Sequence, residues 1–162
     1  MRASPRDTTL QVTPSIRLNG PRYLSVRYDL VSHSRALWHP TWNSDRTVTV
    51  DLRTGAVLRP VDHPAPSAHG PAGLSTLGEL LREFGAGTCF ADGRPLQLDA
   101  GALENAAIQF ALTGRHLEVL PDGPALGLET ACGQPTISIP YQRLGGFLRP
   151  DLLSAVAGPS PS

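Results

Sequence analysis

The sequence contains no lysine, so all 14 of its basic residues are arginines, and they are balanced by 14 acidic residues. With zero net charge and no run of basic residues, the chain lacks the basic face of a general nucleic-acid-binding protein. Electrostatic binding to an anionic membrane surface is disfavoured for the same reason. The absence of lysine also excludes a phosphate-binding loop of the Gly-x-x-x-x-Gly-Lys type.

Long apolar runs are also missing. No segment approaches the roughly 20 apolar residues that cross a bilayer, so we expect no membrane span. Residues 1–7 are polar and lack the apolar stretch of a signal peptide. The compartment therefore stays open: the chain is either cytoplasmic or the processed form of an exported protein.

Cysteine is scarce, with only Cys89 and Cys132. This count fits one disulfide bond, and it fits two buried free thiols equally well. A bond would close a loop of roughly 44 residues and stabilise the fold by about 4 kcal/mol on the chain-entropy estimate. Such a bond is expected outside the cytosol.

Motifs of catalysis and metal binding are absent. The sequence has no Gly-x-Ser-x-Gly, no His-Glu-x-x-His and no Cys-x-x-Cys. We therefore expect no metal, no cofactor and no catalytic residues, and we interpret the loop histidines as exposed to solvent. The alternative is a small hydrolase that gathers loop histidines and a cysteine in one cleft, drawn from His33, His39, His63, His69 and Cys89.

Alternating apolar and polar residues predict strands. Residues 23–31 place Leu24, Val26, Tyr28 and Leu30 on one face, and residues 46–52 place Val48, Val50 and Leu52 on one face. This pattern is typical of antiparallel strands with one buried face. We expect the apolar faces to share one interior with Ile108 and Phe110. The Arg53-Thr54-Gly55 stretch predicts a hairpin turn.

One segment has apolar residues at the three- and four-residue intervals of a helix: Leu74, Leu77, Leu80, Leu81 and Phe84. It predicts an amphipathic helix capped by Thr76 and covering one face of the sheet. The preceding segment, residues 60–71, holds four prolines and is interpreted as a surface loop. Asp99 is expected to cap a short helix that ends near Glu104.

Three further strands are predicted around residues 108–112, 117–119 and 137–139, followed by a short helix that ends at Pro150. The grouping indicates an α+β fold, in which a mostly antiparallel sheet packs against one main amphipathic helix and a short C-terminal helix. The expected division is an N-terminal segment with a weak strand (1–20), one domain (21–150) and a flexible tail (151–162).

The most distinctive local feature is the stretch Trp38-His39-Pro40-Thr41-Trp42 between two predicted strands. Tryptophan anchors interfaces well, so Trp38, His39 and Trp42 are the candidate binding residues. The alternative, weighed equally, is that one or both tryptophans fold back onto the core.

The order of several short motifs resembles the RsiV-like family. Three stretches carry the likeness: Leu24-Ser-Val-Arg-Tyr-Asp29 with Trp38-His39-Pro40-Thr41; the hairpin Thr47 to Gly55; and Phe110-Ala-Leu-Thr113 with Ala131-Cys-Gly133 and Ile137-Ser-Ile-Pro-Tyr141. RsiV-like domains occur in extracytoplasmic anti-sigma factors, before peptidoglycan deacetylase domains and in secreted mycobacterial antigens.

This resemblance implies a sheet packed on helices, usually outside the cytoplasm, with no catalytic residues. In anti-sigma members the domain recognises lysozyme. We therefore expect a non-catalytic binding domain for a protein or cell-envelope component. A cytoplasmic interaction domain that lacks an export signal is the remaining alternative.

Overall fold

The computed structural model describes residues 8–34 and 41–156. That part of the chain contains seven strands and three α-helices. The strands are β1 (Thr8–Asn19), β2 (Tyr23–Ser34), β3 (Thr41–Asp51), β4 (Val57–Leu58), β5 (Ile108–Leu112), β6 (His116–Pro121) and β7 (Ile137–Pro140), and the helices are α1 (Pro71–Phe84), α2 (Ala100–Glu104) and α3 (Pro150–Val156).

The strands form two antiparallel sheets. The outer sheet has the order β1-β2-β3-β4 and the inner sheet the order β5-β6-β7. Contacts of β5 with β1, β2 and β3 and of β7 with α1 place the inner sheet between the outer sheet and α1. The predicted α+β class with a C-terminal helix is confirmed, with two sheets where one was expected.

The hydrophobic core lies between the inner sheet and the helices. Alternate inner-sheet residues share one face by register and are almost fully buried: Ile108, Phe110, Leu112, Leu117, Val119, Ile137 and Ile139. Leu77 and Leu81 of α1 and Leu152 of α3 are also fully buried in this core. The strands around residues 108–112, 117–119 and 137–139 and the amphipathic helix are therefore confirmed.

The outer sheet packs with the opposite face to the one predicted. Thr49, Ser25 and Asp51 are buried, whereas Val48 and Val50 are only half-buried and lie outside the core that contains Phe110. The expectation that the valines of β3 share an interior with Ile108 and Phe110 is wrong. The polar side chains of the outer sheet point towards the inner sheet, and its apolar side chains point to solvent.

Hydrogen bonds between the two sheets explain how a polar face can be buried. The Gln109 side chain accepts from the Thr47 amide at 2.8 Å and donates to the Asp45 carbonyl at 2.9 Å. The Leu112 amide donates to Ser25 Oγ at 3.1 Å. Because buried polar groups are costly only when unpaired, these bonds remove most of the penalty for placing them between the sheets.

An ion pair extends the same contact at the edge of the outer sheet. The Arg17 guanidinium donates to both carboxylate oxygens of Glu118, with 2.9 Å between Nε and Oε2. The Glu118 side chain is only 4% exposed. A buried carboxylate requires such a partner, so this pair ties β1 to β6.

The proline-rich segment between β4 and α1 is not the surface loop that was predicted. Residues 60–62 and 66–68 form short 3₁₀ turns, and His63, Ala65 and Ala68 are buried. Ala68 packs so closely on the start of α1 that a Cβ at Gly73 would lie 2.1 Å from its carbonyl oxygen. The prolines therefore shape a packed connection.

The ends of the helices also differ from expectation. Helix α1 begins at Pro71 with Gly70 as its N-cap, so Thr76 lies inside the helix. Helix α2 is capped by the Asp99 side chain, as predicted.

Near the C-terminus the predicted helix before Pro150 is replaced by a 3₁₀ turn at Tyr141–Arg143. Helix α3 starts at Pro150, which is consistent with proline being tolerated in a first helical turn. The described part of the expected flexible tail is thus helical.

The two cysteines lie at disulfide distance. Cys89 and Cys132 are bonded, with 5.7 Å between their Cα atoms. The bond links the 3₁₀ turn at Cys89–Asp92 to the turn at Thr130–Cys132.

Candidate functional site

The outward-facing side of the outer sheet, called here the outer face, carries an uncommon concentration of exposed apolar side chains. Seven large hydrophobic residues in the described ranges are exposed, and the outer face holds five of them: Leu10, Val12, Ile16, Trp42 and Val57. Half-buried apolar residues lie between them, at Leu24, Val26, Leu30, Val48 and Val50.

Strand register shows that these side chains form one continuous surface. Ile16 lies opposite Val26, which lies opposite Val48. Leu24 lies opposite Val50, which lies opposite Val57. Because cross-strand partners point to the same side of a sheet, each apolar row crosses three strands, and the two rows together reach all four.

The size of the outer face suits a binding surface. Three long strands about 4.8 Å apart, each extending for about 33 Å, give the whole outer face, apolar and polar side chains together, a footprint of roughly 500 Å². The largest apolar patch on a typical monomer is about 300–600 Å² and is often functional.

The outer face is also nearly free of charge. Arg46, opposite Tyr28 in the register, is its one charged residue in the part of β3 that the structure describes. An anionic surface such as nucleic acid would therefore find little electrostatic attraction here. The chemistry of the face fits an apolar protein surface.

Trp42, one of the three predicted binding residues, lies at the end of this face. Its side chain is 56% exposed, so it is not folded onto the core. It also borders a shallow cleft of about 160 Å³, whose lining includes Thr41, Pro124 and Gln134. The other two predicted residues, Trp38 and His39, lie outside the described ranges, and their role stays a prediction.

A charged cluster that sequence reasoning missed lies on the inward-facing side of the outer sheet. Asp29 and Asp45 are directly opposite each other on β2 and β3. Arg27 donates to Asp29 at 2.9 Å, to Asp45 at 3.1 Å and to Thr136 at 2.8 Å. Burial and the neighbouring Asp29 carboxyl raise the pKa of Asp45, while Arg27 opposes this shift.

The cluster is best explained as a link between the sheets. Arg27 partly neutralises the two carboxylates, and the Asp45 amide donates to the Gln134 side chain at 2.7 Å. Asp29 and Asp45 are 16 positions apart in sequence, so only the register of β2 against β3 brings them together.

His63 is buried in a chain of hydrogen bonds. It is 2% exposed, and its ring centroid lies 5.3 Å from that of Phe110. Nδ1 lies 3.0 Å from the Arg59 carbonyl, which can only accept, so Nδ1 carries the proton and Nε2 accepts from Thr49 Oγ1 at 3.5 Å. Burial lowers the pKa of His63 to about 4.

Three of the five residues considered for a histidine hydrolase, His63, Cys89 and His33, make other contacts, and His39 lies outside the described ranges. The interpretation of His63 as a solvent-exposed loop histidine is wrong, and Cys89 has no free thiol because it is bonded to Cys132. His33 lies on β2 with Nδ1 3.1 Å from Thr41 Oγ1. Within residues 8–34 and 41–156, no three His, Cys, Asp or Glu side chains are grouped to hold a metal ion.

None of the described helices is long and apolar enough to cross a membrane.

Comparison with solved structures identifies the type of fold. A DUF3298 family protein from Pseudomonas aeruginosa PAO1 matches with a TM-score of 0.59 and 18% identity over 90% of this chain. A DUF3298 family member from Bacteroides fragilis NCTC 9343 matches with a TM-score of 0.62 and 15% identity over 94% of this chain.

The chain therefore has a DUF3298-type fold. It spans 63% and 59% of the length of these two proteins. No protein-family profile matches the sequence, and no curated protein sequence matches it. At this level of identity the likeness concerns the fold alone.

Proposed function

We propose that this chain is a non-catalytic binding domain of the RsiV-like, extracytoplasmic type, and that its outer face receives a protein partner with an apolar contact surface. The observation that carries the proposal is the inverted packing of the outer sheet. Its polar side is joined to the inner sheet by hydrogen bonds, while its apolar side is turned to solvent. Water contact with this much apolar surface is unfavourable, and a partner would relieve it.

Two further observations support the type of domain. The Cys89–Cys132 bond favours an oxidising compartment, where disulfide bonds persist. The burial of His63 and the oxidised state of Cys89 remove two of the five candidate residues of the hydrolase alternative. A cytoplasmic interaction domain would instead be expected to keep both thiols free.

The first test of the outer face is Val12→Asp, compared with Val31→Asp. Val12 on the outer face is 47% exposed, and Val31 on the opposite side of the same sheet is 37% exposed. Lysozyme, the partner of anti-sigma RsiV-like members, is the protein probe, with binding measured by calorimetry. A charge desolvated at the centre of an interface should weaken the complex about tenfold or more, whereas Val31→Asp should leave it unchanged.

A cosedimentation assay with purified peptidoglycan forms the second arm of this experiment. Peptidoglycan binding that is insensitive to Val12→Asp would place a cell-envelope ligand elsewhere on the molecule. Equal lysozyme affinity for the two aspartate variants would contradict the assignment of the outer face. Binding to neither probe would contradict this choice of partner.

Trp42→Ala separates recognition from folding. Because the Trp42 side chain is more than half exposed, its removal should change the free energy of unfolding by less than about 1 kcal/mol. If it anchors the interface, lysozyme affinity should fall by about 2 kcal/mol, or roughly 30-fold. Circular dichroism and calorimetry on the same preparation measure the two quantities. A variant that unfolds would make Trp42 part of the core and remove it from the site.

A further inference from the structure

Strand β1 forms one edge of the outer sheet, and its outer edge is free in the described part of the chain. It pairs with β2 on one side, and no other described residue forms a hydrogen bond with its backbone. Residues 8–14 are exposed on both faces of the sheet as well. A row of backbone donors and acceptors is therefore available for another strand.

The first half of β1 lacks the features that usually protect an edge. Residues 8–13 read Thr-Thr-Leu-Gln-Val-Thr, with no charge, proline or glycine. The irregularity in the β1–β2 register lies further along, between Ile16 and Leu18. Edge strands of monomeric proteins are normally interrupted by lysine, proline or a bulge, and a long uncharged edge favours strand pairing.

We propose that this edge binds a second copy of the chain, with β1 antiparallel to β1 of the partner copy about a twofold axis at Gln11. In this register Leu10 lies opposite Val12 of the other copy, and Thr9 lies opposite its Thr13. Apolar side chains then meet on the outer face and threonines meet on the opposite face, which are favourable cross-strand pairs. The two outer sheets become one continuous sheet.

The self-complementary order of side chains around Gln11 favours a second copy over an unrelated peptide. In a twofold antiparallel pair, each residue faces the residue at the same distance on the other side of the axis in the second copy. The stretch Thr-Leu-Gln-Val-Thr places a residue of similar polarity at each such position. The formal net charge of zero means that two copies do not repel each other at long range.

Pairing over residues 9–13, which ends before Pro14, buries less than the roughly 1,000 Å² of a stable interface. The dimer should therefore depend on protein concentration, in the micromolar range.

Charge substitutions at Gln11 test both the pairing and its register. Gln11 is exposed, so Gln11→Lys and Gln11→Glu should leave the fold intact. Each variant alone places like charges opposite each other across the axis and should weaken the dimer about tenfold or more. An equimolar mixture of the two variants should restore dimerisation, because Lys then faces Glu. Sedimentation velocity over a range of concentrations measures all four samples, wild type included.

Gln142→Lys and Gln142→Glu provide the matched control, since Gln142 is exposed and lies far along the chain. They should dimerise as the wild type does. A wild-type chain that stays monomeric at high concentration would overturn the proposal. So would a dimer that tolerates both Gln11 charges, or one that the mixture fails to restore.

This inference is separate from the proposed function. Lysozyme binding is measured below the concentration of dimerisation, where the Gln11 variants should bind as the wild type does.

Discussion

Loss of the Cys89–Cys132 bond is expected to lower the free energy of unfolding by about 4 kcal/mol. The bond closes a loop across a sequence separation of 43 residues, which includes β5 and β6 of the inner sheet. Without the bond, the conformational entropy of the unfolded chain rises, while that of the folded chain hardly changes. Native domains have only about 5–15 kcal/mol of stability, so this loss is a large share of the total.

The measurement is denaturant unfolding of the wild type and of the double variant Cys89→Ala with Cys132→Ala. Reducing agent should lower the stability of the wild type towards that of the variant and leave the variant unchanged. Thiol titration after unfolding without reductant should find no free thiol in the wild type. Two free thiols per chain would contradict the bond and favour the cytoplasmic alternative.

The disulfide bond could not be predicted from the number of cysteines. Two cysteines fit a bond or a pair of thiols, and the choice depends on two separate turns meeting in space. The turn that contains Cys89 follows α1, and the turn that contains Cys132 lies between β6 and β7. No local pattern around Cys89 or Cys132 specifies that contact.

Most strands and the main helix follow from periodicity, because alternation and helical spacing are local properties of the sequence. The strand around residues 108–112, for example, is confirmed, and its Ile108 and Phe110 are fully buried. Gly55 adopts φ of 74° in the predicted hairpin turn, a conformation that glycine adopts without strain.

The orientation of the outer sheet could not be predicted from the same alternation. Period two shows that Val48 and Thr49 point to opposite sides, but it does not show which side is covered. The usual assumption buries the apolar side. Here Gln109 and Ser25 supply hydrogen bonds that make burial of the polar side possible, and those partners come from distant parts of the chain.

The same limitation applies to the residues of the candidate site. Trp42 was proposed as a binding residue from its residue type and neighbours, with burial against the core as an equal alternative, and the structure shows it exposed. Leu10, Val12 and Val57 were not identified, because their contribution depends on the side of the sheet that faces solvent.

Acidification is expected to destabilise the domain through His63. The pKa of a histidine in an unfolded chain is about 6.5, and burial lowers the pKa of His63 in the fold to about 4. Above about pH 6.5 the residue is neutral in both states and has no effect. As the pH falls below that value the unfolded chain takes up a proton that the folded chain excludes, so stability falls by roughly 3 kcal/mol by about pH 4.

The hydrogen bonds around His63 give this penalty a structural cause. A proton on Nε2 would turn the acceptor of the Thr49 hydroxyl into a donor. Thr49 lies 3.1 Å from Ser25 Oγ, which accepts from the Leu112 amide, so the disturbance reaches the contact between the sheets. Of the nearby charges, Asp62 favours protonation of His63 and Arg149 opposes it.

Denaturant unfolding of the wild type and of His63→Gln between about pH 7 and about pH 4.5 tests this expectation. Glutamine cannot be charged, so the variant should be less stable at neutral pH and nearly independent of pH in this window. His33→Gln is the control and should keep the wild-type slope.

The window also separates His63 from the carboxylates with lowered pKa values. Asp45, whose pKa is raised, takes up a proton more readily in the fold and therefore has the opposite effect on stability. Hydrogen bonds and nearby arginines lower the pKa values of Asp51, Asp62 and Asp151, so their contributions are lost at lower pH. Equal slopes for the wild type and His63→Gln would show that His63 is not the group that excludes the proton.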